Sequence, residues 1–408
     1  MHASAQSSPW LEHDGALAGL RVLDLSRIMS GPFGTMALAD LGADVIKIED
    51  HRHGDDTRAW APPYQGDQAA YFLSVNRNKR SVAVDLKDPE CRELVRGLAR
   101  TADVIVENFR PGTAARLGFG YEEISAGNPA VVYASISGYG QTGPLRDAPG
   151  YDAIAQALSG MMSVTGEAEG PPVRFGVAGA DLAAGMWTTI GILAALHERR
   201  RTGRGQWVDV SLLDGQISWL TYVASGYFAT ERIPGRFGSA HPTIVPYQAF
   251  PTADGHIMIA VGNDGLWRRF APAVGLGHLV DDPRFATNPD RVRNRDELLP
   301  LIEKALAARS AEEWSEVLST AAVPAGRINT VEQALEHPQV IARGMVVETE
   351  HATAGAVRTI TSPIKLSASP PRVRTAPPRH GEHTGDVLAA LGVDAARMAD
   401  LRTRGAVR

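Results

Sequence analysis

The chain reads as an α/β protein built on a doubly wound, Rossmann-like parallel sheet with a smaller α+β domain, and three observations predict it. Short apolar runs of strand length alternate with helical stretches between Arg21 and Ile136. The turns joining them carry Gly and Pro, and the β–α alternation suits right-handed crossovers rather than hairpins. At 408 residues, the chain also exceeds what one hydrophobic core usually supports.

Arg21 to Leu25 reads as a buried strand, Pro32 to Leu41 as a helix and Asp44 to Glu49 as a second strand, with turns at Ser30-Gly31-Pro32 and Gly42. A strand at Ser81 to Leu86, a helix from Pro89 to Ala99, and strands at Asp103 to Glu107 and Ala130 to Ile136 continue the alternation. Ligands of such sheets bind at the carboxyl ends of the strands, here Ser26 to Pro32, Glu107 to Gly112 and Ser137 to Pro144. Leu182, Met186, Ile190, Leu193 and His197 keep a helical spacing that closes at Arg199-Arg200-Arg201 and Gly203, before a strand at Trp207 to Leu212. The pattern loosens through Gly226 to Pro246. Short strands follow at Tyr247 to Pro251 and His256 to Val261, with helices near Leu266 to Val274, Glu297 to Ala308 and Ala311 to Thr320. Ser369 to His380, rich in Pro and Arg, reads as an extended connector before a helical region from Thr384 to Leu401. The expected domains are a large one over 1–225, a small one over 226–345, and a connector with a C-terminal return to the large domain over 346–408.

Composition narrows the function. Forty-one basic and 46 acidic residues, mixed along the chain for a net charge of -5, give no nucleic-acid surface. The single cysteine, Cys91, excludes an internal disulfide and a cysteine-based metal site, and suits a reducing cytoplasm. The first eighteen residues lack a basic start followed by an apolar stretch, and the most apolar run, Met186 to Leu196, is short for a bilayer; neither an export signal nor a membrane partner is expected.

Asp181 stands out, a lone carboxylate among small residues in Val177-Ala178-Gly179-Ala180-Asp181-Leu182-Ala183-Ala184-Gly185, where a turn enters an apolar helix. One reading makes it an N-cap. The other uses the same geometry to keep a carboxylate of ordinary pKa about 3.9 ionised and nucleophilic, with glycines leaving room for a substrate. Ser30-Gly31-Pro32-Phe33-Gly34 lacks the spaced glycines of a dinucleotide fingerprint, so Glu49 reads as an ordinary strand-end residue. Asn76-Arg77-Asn78-Lys79-Arg80 and Asn108-Phe109-Arg110-Pro111-Gly112 with Arg116 are solvated faces or, together, the phosphate and adenine contacts of a phosphorylated ligand. The glycine-rich loop from Gly138 to Pro144 favours binding. Asp24, Asp152, Asp209 and Asp214 lie inside strands or at helix starts and are weaker catalytic candidates; no serine-hydrolase elbow or metal-ligand spacing is visible.

These residues, with Gly19 to Asp24, Leu41 to Glu49, Ala102 to Phe109, Gly138 to Pro144 and Thr202 to Gln206, resemble the family III CoA-transferases, the group of formyl-CoA transferase and the carnitine and bile-acid CoA-transferases. The resemblance runs from about Gly19 to Leu401. It implies Asp181 as a covalent nucleophile, and a CoA thioester as substrate with no permanently bound cofactor or metal. It further implies coenzyme contacts at Arg27, Ile28, Val84, Lys87, Asn108, Phe109 and Arg116, with Arg27 and Lys87 suited to the phosphates. An acyl and carboxylate pocket would involve Met29, where relatives often carry Gln, with Tyr71, Gly140, Tyr151 and His241. The family fold implies a homodimer whose chains interlock like links.

Gly54 to Arg58, Tyr71 to Lys79, and Gly238-Ser239-Ala240-His241 with Ile244 to Phe250 look like the succinyl-CoA:3-hydroxymethylglutarate (glutarate) branch, which points to dicarboxylic acids. The absence of a glycine-rich loop near His241 argues against formyl or oxalate. Related racemases place a histidine acid/base where this chain has Tyr151, and a phenol of pKa near 10 is poorly matched to proton abstraction at neutral pH. A loop around Gly138 to Gly143 or His241 is expected to exclude water.

Overall fold

The structure, a computed structural model, describes residues 8–408. The chain forms two compact units, one containing the residues up to Met161 with Arg174–Ala224 and Pro338–Arg408, the other Met162–Val173 with Ser225–His337.

The first unit is built on six strands: β1 (Arg21–Asp24), β2 (Asp44–Asp50), β3 (Lys79–Val84), β4 (Val104–Glu107), β5 (Val132–Ser137) and β6 (Trp207–Ser211). Their spatial order is β3-β2-β1-β4-β5-β6, every neighbouring pair parallel. The chain winds outward to β3, then crosses back to β4, so the carboxyl ends of β1 and β4 part and leave a crevice. Both faces are covered, which is why the strands read as continuous apolar runs. Val22, Val45, Val104, Val106 and Val132 point to one face, under α1 (Ser30–Asp40) and α4 (Gly179–Thr202). Leu23, Ile46, Val82, Ile105 and Tyr133 point to the other, under α2 (Pro89–Thr101) and the C-terminal helices.

α4 is 24 residues long and, by length and composition alone, could cross a bilayer, so the expectation drawn from the shorter run Met186 to Leu196 understated it. Its buried residues Ala180, Ala184, Ile192 and Ala195 join the apolar core on its face of the sheet. The C-terminal helical region is two helices, α5 (Thr384–Ala390) and α6 (Ala395–Thr403). Gly392 breaks them at φ 90°, and Asp394 caps the second through the Arg397 amide at 2.8 Å. The chain end returns to the sheet edge, where the Arg408 amide donates to the Ala83 carbonyl. An antiparallel hairpin, Val346–His351 with Gly355–Ile360, precedes the connector and was not read from the sequence.

The second unit packs an antiparallel sheet of Tyr247–Pro251, His256–Ala260 and Ala325–Arg327 against helices Asp264–Ala273, Arg295–Leu306 and Ala311–Thr320. Phe250, Trp267, Phe270, Leu298, Ile302 and Leu318 form its core. Arg291, fully buried, ties it together through the Val245 and Phe285 carbonyls and Asp264. Segment Met162–Val173 joins this unit because Arg236 binds the carbonyls of Glu167 and Gly170.

Candidate active site

The site begins where α1 crosses α4. A Cβ on Gly185 would stand 2.6 Å from the Ser30 carbonyl oxygen and 3.0 Å from the Phe33 ring, and one on Gly34 would stand 3.1 Å from the Gly185 carbonyl. Only glycine lets the two backbones approach this closely. One turn before the crossing, α1 begins at Ser30 and α4 carries Asp181. The Ser30 side chain is near enough to Asp181 there to oppose its protonation.

Asp181 is not the N-cap. That position is Ala178, Asp181 lies in the first turn, and its side chain makes no capping bond. The cap comes from Asp152, at the start of α3 (Asp152–Leu158), whose carboxylate accepts the Ala180 amide at 2.7 Å and the Asp181 amide at 3.3 Å. Gln156, wholly buried, holds the other Asp152 oxygen at 2.7 Å and takes the Phe175 amide at 2.9 Å. The helix end therefore binds the Asp152 carboxylate, whose charge lies beside Asp181. Burial first, and Asp152 second, push Asp181 up to about 7, against a smaller opposing influence of the Ser30 hydroxyl. The sequence reading had the helix end holding the Asp181 carboxylate ionised; burial and Asp152 instead favour its protonated form. A carboxylate of this basicity is a stronger nucleophile than an ordinary one and is still substantially ionised at neutral pH. Tyr71 belongs to the same neighbourhood: burial and then the charges of Asp181, Asp152 and Asp55 push its phenol up to about 12. Trp60 meets its ring edge-on at 5.1 Å.

The crevice between β1 and β4 holds the second part of the site. Asn108 Oδ1 accepts the Arg27 amide at 2.7 Å, and Asn108 Nδ2 donates to the Arg27 carbonyl at 2.6 Å, so the loops after the two strands are joined. The Arg27 guanidinium lies 5.8 Å from the Phe109 ring centre. Ile28 adopts φ 71°, a left-handed conformation costly for a β-branched residue, and its amide is held by both Asp55 oxygens at 3.2 Å. Fully buried Lys47 anchors Asp55 at 2.9 Å and the Ser26 carbonyl at 2.7 Å. Burial would raise Asp55, yet Lys47 and Thr57 hold it down at about 2. Beside these loops lies a cavity of about 190 Å³ whose walls include Arg27, Lys47, Val84, Lys87 and Phe109. Arg27, Val84, Lys87 and Phe109 are thus brought together, with Ile28 and Asn108 on the same loops. Arg116 does not line this cavity; its guanidinium bonds the Thr113 hydroxyl at 2.8 Å.

The remaining candidates sit elsewhere in the fold. Met29 precedes α1. Tyr151, at 64 % exposure, precedes α3. Gly140 has φ 94°, and its amide donates to the Ser137 hydroxyl at 2.8 Å. His241 belongs to the second unit, where its ring packs on Tyr247 and Arg295 donates to its carbonyl.

Structure also reassigns the basic run before β3. Arg77 pairs with Asp40, Lys79 with Asp24 at the carboxyl end of β1, and Arg80 with Asp44, all in buried or nearly buried ion pairs. These cations brace the fold and are spent on it, so the phosphate reading of this run is withdrawn. Glu49 is likewise more than a strand end: Arg58 grips it with two bonds at 2.7 and 2.8 Å.

Fold and site together define an α/β enzyme with a cavity at the sheet's reversal point and a carboxylate, rather than a hydroxyl or thiol, as its raised-pKa candidate nucleophile. The description "CoA-transferase family III" fits residues 17–384, and the chain belongs to that family. It is 44 % identical over 381 residues to the succinate–glutarate CoA-transferase of Agrobacterium fabrum, covering 92 % of this chain and 95 % of that one. It is equally, 44 %, identical over 354 residues to an acetyl-CoA:oxalate CoA-transferase of Acetobacter aceti, covering 86 % and 90 %. Overall identity therefore does not separate these two relatives. A crystal structure of a CAIB/BAIF family protein from Brucella suis superposes with a TM-score of 0.84 at 41 % identity, covering 93 % of this chain and all of that one.

Proposed function

We propose that the protein moves CoA from succinyl-CoA to a second dicarboxylic acid, with glutarate as the first choice of acceptor, through covalent intermediates on Asp181. The observation that carries this reading is the buried Asp181 carboxylate, pushed up to about 7 beside Asp152 on a glycine-lined helix crossing. The glutarate name of a relative matched over nearly its whole length supports the choice of acids.

A carboxylate oxygen of Asp181 attacks the thioester carbonyl and CoA thiolate departs, leaving an acyl-aspartyl anhydride. The thiolate attacks the aspartyl carbonyl, giving an aspartyl-CoA thioester and free succinate. The acceptor carboxylate attacks that thioester, releasing thiolate and forming a new anhydride. Attack of thiolate on the acceptor's carbonyl then frees Asp181 and yields the product acyl-CoA. Each tetrahedral stage develops an oxyanion, for which backbone amides of the glycine-rich segments are candidates, one donor being worth about 3 kcal/mol. Arg27, Ile28, Val84, Lys87, Asn108, Phe109 and Arg116 make up the proposed coenzyme contacts, and Met29, Tyr71, Gly140, Tyr151 and His241 the substrate contacts.

The test is exchange of CoA from succinyl-CoA onto glutarate, 3-hydroxymethylglutarate and oxalate, with products read by mass. Asp181→Asn should lose exchange while binding CoA with unchanged affinity, and full exchange in that variant refutes the mechanism. If only monocarboxylates accept CoA, the dicarboxylate assignment falls.

We also propose that the chain works as an interlocked homodimer. Ile154 and Leu158 of α3 and Met186, Trp187 and Ile190 of α4 leave much of their apolar surface exposed, a pattern that a second copy of the chain would cover.

A further inference from the structure

The loop that leaves β1 is held by its backbone at each of three successive residues. The Ser26 amide donates to Asp24 Oδ1 at 2.9 Å, and the Ser26 carbonyl accepts Lys47 Nζ at 2.7 Å. Asn108 closes on both sides of Arg27, and the Ile28 amide meets both oxygens of Asp55. Asp24, Lys47 and Asp55 are at most 1 % exposed, so three of the four clamping side chains lie inside the protein. Ile28 is the strained member: at φ 71° its Cβ crowds the backbone, which disfavours that conformation roughly tenfold in an unheld chain. Asp55 and Lys47 both border the cavity beside these loops, yet they are turned on the protein itself. Asp55 Oδ2 takes Lys47 Nζ at 2.9 Å, and Oδ1 takes the Thr57 amide at 3.0 Å and hydroxyl at 2.7 Å. Capping the short helix Asp56–Ala59 needs only the Thr57 amide; the bonds to Ile28, 27 residues earlier in the chain, go beyond it. The Asp55 amide is fixed in turn by Glu49 Oε2 at 2.9 Å.

We propose that Asp55 is a positioning residue for the coenzyme: it holds Ile28 in the left-handed conformation that turns the chain from β1 into α1, and so sets Arg27 at the wall of the cavity, with Lys47 fixing the carboxylate. This deepens the reading of Arg27, Ile28, Asn108 and Phe109 as coenzyme contacts and rests on it. Without the Asp55 bonds, Ile28 relaxes to an extended or right-handed conformation. Arg27 is its immediate neighbour, so the guanidinium 5.8 Å from the Phe109 ring is displaced with it. Buried, charge-assisted bonds hold the strained turn before a ligand arrives, and binding does not have to order the loop. A carboxylate facing the phosphates directly would repel them, which is why Asp55 acts through the backbone of Ile28 and not by contact.

The experiment measures the Kd of CoA by titration calorimetry, with KM and kcat for succinyl-CoA to glutarate exchange, in the full-length protein. Asp55→Ala should raise Kd and KM about tenfold and leave kcat within about threefold. Adding Ile28→Gly to Asp55→Ala should recover at least about threefold of the lost affinity, because glycine takes up a positive φ unaided. In the wild-type background the same glycine should not tighten binding. Asp55→Ala leaves Lys47 short of a buried partner, so Lys47→Met/Asp55→Ala, which removes both charges, carries the same comparison if the single variant folds poorly. A Kd within about twofold of wild type overturns the proposal. So does a loss that Ile28→Gly fails to relieve, since Asp55 would then serve only the turn it caps. Arg27→Ala separates the two readings. If it loses affinity while Asp55→Ala does not, only the Asp55 assignment falls; if it binds CoA as wild type does, the coenzyme reading of Arg27 falls and the proposal with it.

Discussion

Replacing Asp181 with Asn should stabilise the protein while inactivating it, and the gain should grow with pH. The folded chain holds the Asp181 proton with a pKa of about 7, because burial and Asp152 disfavour the anion, against an ordinary value of 3.8. Between these values the folded state keeps a proton that the unfolded chain has released, so stability falls as pH rises through this window. The full deficit is present above about pH 7. A displacement of about three units, at about 1.4 kcal/mol each, sets a ceiling near 4 kcal/mol. Asn removes the charge at almost constant volume, but a buried amide still carries part of the desolvation cost. A net gain of about 2 kcal/mol at pH 8 is expected, or roughly 4 °C in Tm, shrinking towards zero near pH 4. Thermal scans of wild type and variant at matched ionic strength, at about pH 5 and pH 8, measure it. A Tm difference that is the same at both pH values, or an Asn variant less stable at pH 8, would refute the reasoning.

Glu107 is 4 % exposed, and its carboxyl accepts the Phe109 amide at 2.9 Å; burial, and a smaller effect of Asp209, push it up to about 7. Glu107→Ala releases that amide and should raise the KM for acyl-CoA about tenfold with little change in kcat, read by steady-state kinetics; an unchanged KM removes Phe109 from the coenzyme contacts. For the proposed dimer, sedimentation should give about twice the 43.6 kDa chain mass, and Ile190→Asp should return it to a single chain. A monomeric wild type refutes the assembly.

The sheet was legible because its strands, buried on both faces, announce themselves as apolar runs such as Val22 to Leu25 and Val104 to Val106, whatever surrounds them. Asp181 was legible because small residues give a carboxylate no packing role. Its environment was not. The group that caps α4 is Asp152, twenty-nine residues before Asp181, and the sequence reading discounted Asp152 because it starts a helix of its own. Lys79 and Arg80 looked like a solvent or phosphate face because their partners Asp24 and Asp44 lie on other strands, and a charge cluster reveals nothing of the acids it will meet. Ser30 sat within a recognised turn, but its place beside α4 depends on Gly34 and Gly185 meeting, and a glycine in sequence does not name its partner. The hairpin Val346–His351/Gly355–Ile360 was missed because its strands carry polar residues on one side and lack the long apolar run that marked the sheet.

The glycines at the ends of the loop after β5 determine how that loop can change. A Cβ on Gly138 would lie 2.6 Å from the Cα of Gly150, so the two backbones touch where the loop leaves β5 and where it approaches α3. Both ends are pinned at one point. The Gly138 carbonyl is further tied to the Leu213 amide at 3.1 Å, and the Gln141 amide to Asp209 at 3.1 Å. Whatever chain runs between Gly138 and Gly150 hangs from a closed neck, as in an Ω-loop, and its length or sequence can vary without shifting the strand before it or the Asp152 helix after it. Divergence in this family can thus retailor this loop while Asp181 and the Asp152 that caps its helix stay in register.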